Sequence, residues 1–190
     1  MKKTILLICL VTMAFISTGC SFVDDVFKQD SKSEIIDTFE QNKTLFALCI
    51  EEVQDLYASY ERQTMRIRLS EDGSVFLSCS DPYPAETEKI ETTIDSPNLQ
   101  ELLSLPTVKT IMVRKNGIEF AGEGSGIGSN TSYCGIFFTP VNDMTFIPYY
   151  DDDMLFTEEN GIVYGSERNG DNSVHIERIE EDYFYYEANF

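Results

Sequence analysis

Residues Ile162 to Asn189 read IVYGSERNGDNSVHIERIEEDYFYYEAN, and this stretch decides the fold. Three runs, Ile162 to Glu167, Ser173 to Glu180 and Tyr183 to Asn189, are rich in β-branched and aromatic residues. They are broken by Asn169-Gly170 and by the acidic pair Glu181-Asp182. Asn-Gly is a strong hairpin signal because both residues tolerate positive φ. The run Ser173 to Glu180 alternates apolar and polar side chains, the period of an extended chain with one face on a core. The stretch therefore predicts three consecutive antiparallel strands.

Working outward, Asn116-Gly117 and Asn160-Gly161 punctuate the chain in the same way. Strands are predicted over Thr64 to Leu69, Ser74 to Ser80, Glu88 to Ile94, Thr110 to Lys115, Ile118 to Gly122, Tyr133 to Thr139 and Met154 to Glu158. The period changes near the start. Ser31 and Glu34 have the spacing of a capping box. Beyond them Ile36, Phe39, Phe46, Cys49, Ile50, Val53, Leu56, Tyr57 and Tyr60 recur at helical spacing. Asn42 and Lys43 interrupt this stripe, and one long helix is expected to run through them. Ser96-Pro97, a cap followed by proline in the first turn, predicts a second, shorter helix through Leu99, Leu102 and Leu103 that stops before Pro106. Strands and helices do not alternate regularly. The expectation is an α+β class, with a long N-terminal helix packed on a twisted antiparallel meander sheet and one additional short helix. Residues 33–190 form one acidic domain, a normal single-domain length.

The first residues have a separate character. Lys2 and Lys3 precede an apolar run from Ile5 to Ile16, which ends in Ser17-Thr18-Gly19-Cys20. These are the three regions of a secretory signal. The run is shorter than the roughly 20 apolar residues of a membrane-spanning helix. Ser17-Thr18-Gly19-Cys20 resembles the lipobox of bacterial prolipoproteins, with Ser17 in place of the commoner leucine. The resemblance implies cleavage after residue 19 and a diacylglyceryl group on the Cys20 sulfur. Further acylation of the palmitate type brings two or three chains in all. Each buried methylene contributes about 0.8 kcal/mol, so more than one chain gives lasting attachment. Residues 20–32 would then be the lipidated cysteine and a tether, and the domain would sit on the extracytoplasmic side of the cell membrane, or of the outer membrane in a two-membrane host. Cleavage by an ordinary signal peptidase, giving a secreted and unlipidated chain, is the alternative. The tail Glu181 to Phe190, with the Asn-rich turn before it, resembles uncharacterised small lipoproteins of Gram-positive bacteria, a likeness that carries no activity.

The full chain has a formal charge of −19. Loss of residues 1–19 removes Lys2 and Lys3 and no acids, which leaves 12 basic against 33 acidic side chains and a charge of −21. That balance argues against nucleic acid as a partner. The aromatic content of 12% argues against a disordered polymer.

No motif after Cys20 specifies catalysis. Gly122 to Gly128 is glycine-rich but lacks the Lys-Ser/Thr ending of a phosphate loop and does not open a helix, so no nucleotide is expected. His175 is the only histidine, and it reads as one position on a strand face, with no partner motif for a catalytic triad or zinc. Cys49, Cys79 and Cys134 are expected as buried thiols, with a Cys79–Cys134 disulfide as the alternative. Asp151 and Asp153 are weak calcium candidates, because consecutive acids in an extended chain do not face one ion; no metal and no cofactor beyond the lipid are expected. Tyr183 and Tyr185 fall on one face of the last strand, where rings with hydroxyls suit sugar or peptide partners. They are the candidate contact residues, with a strand buried by loops as the competing reading. The sequence thus points to a membrane-anchored, non-catalytic binding or envelope-associated module with a protein or polysaccharide partner. A carboxylate-dependent hydrolase of cell-wall or extracellular polymer is the alternative.

Overall fold

The computed structural model describes residues 31–60, 64–80, 90–122, 124–127, 130–147, 154–167 and 172–190. The signal, Cys20, the tether to residue 30, Asp151, Asp153 and Asn169-Gly170 lie outside them.

Ser31 caps helix α1 (Lys32–Gln41). Its hydroxyl accepts from the Glu34 N–H, and the Glu34 carboxylate accepts from the Ser31 N–H at 2.9 Å. The expected single helix does not run on. At Asn42 the backbone leaves helical geometry (φ −121°, ψ 20°), and α2 (Lys43–Tyr60) begins afresh. Asn42 ends α1 by donating its side-chain amide to the Thr38 carbonyl at 2.8 Å, the competition with the helical ladder for which asparagine is disfavoured inside helices. The apolar stripe survives because both helices lie on the same core: Phe39 of α1 and Phe46 of α2 meet edge to face with ring centroids 5.3 Å apart.

Ten strands follow one hydrogen-bonded path, and an eleventh pairs at its side. They are β1 (Thr64–Leu69), β2 (Val75–Ser80), β3 (Ile90–Ile94), β4 (Thr110–Arg114), β5 (Gly117–Ala121), β6 (Ser125–Ile127), β7 (Asn130–Phe138), β8 (Met154–Glu159), β9 (Ile162–Glu167), β10 (Ser173–Glu180) and β11 (Tyr183–Asn189). A third helix, α3 (Pro97–Leu103), capped by Ser96, carries the chain from β3 back to β4 beside β1. The spatial order is β3-β2-β1-β4-β5-β7-β11-β10-β9-β8. Every pairing is antiparallel. The class is α+β and dominated by the sheet. The simple meander is corrected: β8 to β11 form one, but its last strand turns back to pair with β7 in the middle of the sheet.

The turns follow their chemistry unevenly. Asn160 and Gly161 have φ of +55° and +79°, as a tight hairpin between β8 and β9 requires. Asn116 and Gly117 do not have positive φ, and Gly117 is already the first residue of β5. There the missing side chain serves packing, since a Cβ would lie 2.5 Å from the Phe137 ring. In the glycine-rich stretch, Ser125 to Ile127 pairs with Asn130 to Ser132 of β7.

Two cores lie on opposite faces. The larger one packs Ile35, Phe39, Phe46, Cys49, Val53, Leu99 and Leu102 of the helices on Met65, Ile67, Leu77, Ile111, Phe120, Ile136 and Tyr185 of the sheet. Burial of each large apolar side chain contributes roughly 1.5–3 kcal/mol. The second core, on the other face, joins Phe137, Val163, Val174, Ile176, Phe184, Tyr186 and Ala188 under a 3-10 turn (Met144–Phe146) and Ile147.

Cys49, Cys79 and Cys134 are buried thiols rather than halves of a disulfide. Cys79 on β2 and Cys134 on β7 have β1, β4 and β5 between them. Four strand spacings of about 4.8 Å far exceed the roughly 7 Å Cα limit of a disulfide.

Candidate functional site

The helices cover one face of the sheet and the 3-10 segment covers part of the other, so among the described residues two areas have no layer of regular structure over them. The first lies on the helix-bearing face beyond α1. On β9, β10 and β11, Tyr164, His175 and Glu187 stand opposite one another in register. The neighbouring row sets Glu177 beside Tyr185. Alternation places all five side chains on one face.

His175 is the centre of this group. Tyr164, which is 43% exposed, stacks on its ring with centroids 5.0 Å apart and planes 24° from parallel. Tyr185 meets it edge-on at 5.9 Å. The His175 Nε2 atom is buried and has no hydrogen-bond partner among the described residues. It lies 3.6 Å from Glu177 Oε2, beyond a real hydrogen bond. Glu177 also pairs with Lys32 at the start of α1, and the Lys32 ammonium stands 5.6 Å from the centroid of the Tyr185 ring.

Tyr185 is 1% exposed and donates its hydroxyl to Glu187 at 3.3 Å. Burial, followed by the charge of Glu187, pushes its phenol well above the usual range. Tyr183 is half-buried against Phe39 and Phe138, and burial raises its phenol too, with Glu180 and Asp182 adding to the effect. The expected contact surface of Tyr183 and Tyr185 is thus corrected: both rings are committed to the fold under α1. The exposed ring is Tyr164, one position of an alternating strand that the sequence did not distinguish from its neighbours.

The second area lies on the opposite face of β1, β2 and β4. There Arg66, Arg68 and Arg114 point away from the helices, with Phe76, Ser78 and Met112 between them. Alternation in β1 makes Arg66 and Arg68 neighbours on one face. Nothing in the sequence announces Arg114, which joins them through strand register.

Among the described residues no three His, Cys, Asp or Glu side chains converge as a metal site requires, and no helix is long and apolar enough to cross a membrane. No family model, curated protein or solved structure matches the chain.

Proposed function

We propose that this chain is an exported lipoprotein, held at the membrane by acyl chains on Cys20, whose domain is a non-catalytic binding module. The anchor rests on the basic start, the apolar run and Ser17-Thr18-Gly19-Cys20. The binding role is carried by one observation: the exposed ring of Tyr164, stacked on His175 on a sheet face that no described helix covers at this point. An accessible aromatic ring beside Glu177 and Glu187 suits a polysaccharide partner, whose apolar ring face stacks while its hydroxyls donate to carboxylates.

Two measurements test the two parts. Intact-mass analysis of membrane-extracted wild type beside Cys20→Ala should show the acyl mass on the first and not the second; an unmodified thiol on a secreted chain overturns the anchor. Co-sedimentation with insoluble cell-wall polysaccharide should be lost in Tyr164→Ala and His175→Ala. Equal sedimentation of folded variants removes this face from the reading.

A further inference from the structure

We infer that the arginine-bearing face of β1, β2 and β4 is a second binding surface, one that takes a linear phosphate-bearing polymer. The chain is poor in cations, and three of them stand together on this face, which no described helix covers. Met112 lies between two of them: its sulfur is 3.7 Å from Arg66 Nη2 and 3.8 Å from Arg114 Nη2. Arg114 uses its other nitrogen on Glu119 at 3.1 Å. Arg66 and Arg68 have no carboxylate partner among the described residues, and Arg68 lies over the Phe76 ring at 5.5 Å. Like charges held side by side in this way repel one another until an anion arrives.

By register the backbone positions of the three arginines form a slanted row, and the Arg66 and Arg114 guanidinium groups converge on Met112. Arg114 is level with Thr64, and Arg66 and Arg68 follow at alternate positions of β1. The steps along the strand are about 6.7 Å, twice the rise per residue. Ser78 stands opposite Arg66 and adds a hydroxyl donor. Among the described residues of β1 to β5, the acids on this face are Glu119, which is buried and bound to Arg114, and Glu91, separated from Arg66 by Ser78. At physiological salt a charge is felt over about 8 Å, so a phosphate seated beside Arg66 and Arg68 is screened from the more distant acids of the molecule.

The partner is a polymer charged on its own backbone, and the strands say why. β1, β2 and β4 are each paired on both sides, so an extended peptide finds no free edge for backbone hydrogen bonds, the usual source of its affinity. Contacts here come from side chains alone. The planar fork of arginine matches the oxygens of a phosphate in bidentate fashion.

The test uses the full chain in neutral-detergent micelles, titrated at physiological salt with linear polyphosphate, polyglutamate and inorganic phosphate. Polyphosphate should bind wild type, and bind Arg66→Gln/Arg68→Gln about tenfold or more weakly, as loss of two charge-assisted contacts implies. Lys43→Gln, changed on the opposite face, should stay at the wild-type affinity. Arg66→Lys/Arg68→Lys keeps both charges but not the forks and should fall between the two, which preserves the test if the glutamine variant misfolds. Inorganic phosphate should bind more weakly than the polymer. Unchanged polyphosphate affinity in both arginine variants overturns the proposal. So does tighter binding of polyglutamate, which would mark an acidic peptide. Loss of polyphosphate binding on doping the micelles with phosphatidylglycerol would assign the face to the bilayer and overturn the polymer.

Discussion

Tyr186 on β11 donates its hydroxyl to Oε1 of Glu119 at 2.5 Å, although β7 lies between their strands. Glu119 is wholly buried, and its other oxygen accepts from Arg114. The contact ties the arginine-bearing end of the sheet to the second core. A hydrogen bond to a buried charged group is worth about 1.5–3 kcal/mol, and removing one partner leaves the carboxylate less well solvated. Tyr186→Phe should lower the unfolding free energy by that amount in urea titration. A double-mutant cycle with Glu119→Gln should show coupling between the sites; strict additivity would mean the bond is incidental.

Gly135 has a different reason to be glycine. It lies on β7 opposite Tyr186, and a Cβ there would come within 2.2 Å of the Phe120 carbonyl oxygen. The clash is with backbone and no side-chain rotation relieves it. Gly135→Ala is expected to cost at least the 1–3 kcal/mol or so of an overpacked core. Gly165→Ala meets the side chains of Phe156 and Val174 instead and should cost less. Thermal midpoints of the two variants give the ranking, and the reverse order would refute it.

Much of this architecture is legible in the sequence, for reasons that differ by element. β1, β9, β10 and β11 begin and end where alternation and turn residues set them, because one-sided burial imposes a period of two. The break at Asn42 is not legible from the apolar stripe, since both helices feed the same core and the spacing continues across the join. Which strands pair is also hidden. Local patterns say where a strand is but not that β11 returns to β7, a choice made by two cores that need opposite faces of the same strand. For that reason Tyr183 and Tyr185 resemble a display surface on paper and prove to be packing.

Ser31 holds the start of α1. Ser31→Ala removes the acceptor for the Glu34 N–H and should cost about 1 kcal/mol, the usual worth of an N-cap. The loss should appear as faster amide exchange in α1 than in the sheet. Equal exchange throughout would show that the cap does not govern the helix.

Cys49 sets the alkaline limit. Burial, with smaller contributions from Glu52 and Glu101, pushes the Cys49 thiol up from 9.0 to about 12. Between those values the unfolded chain gives up a proton that the folded chain keeps, so stability falls as pH rises from about 9. Tyr57, Tyr183 and Tyr185 shift in the same direction from 10.0 and steepen the loss. Unfolding midpoints should decline above pH 9, and a thiol reagent should modify Cys49, Cys79 and Cys134 no faster than the chain opens. Rapid labelling of the native protein would contradict their burial.

The return of β11 to β7 has a consequence for how the molecule is made. A chain emerging N-terminus first can assemble β1 to β5 and add β7 while synthesis continues, but β7 then waits with one edge unsatisfied until β8, β9 and β10 have followed. That seam closes last. During the delay a bare strand edge in mid-sheet is open to mispairing with any extended chain nearby, which makes the speed of delivery, more than final stability, the hazard this topology carries.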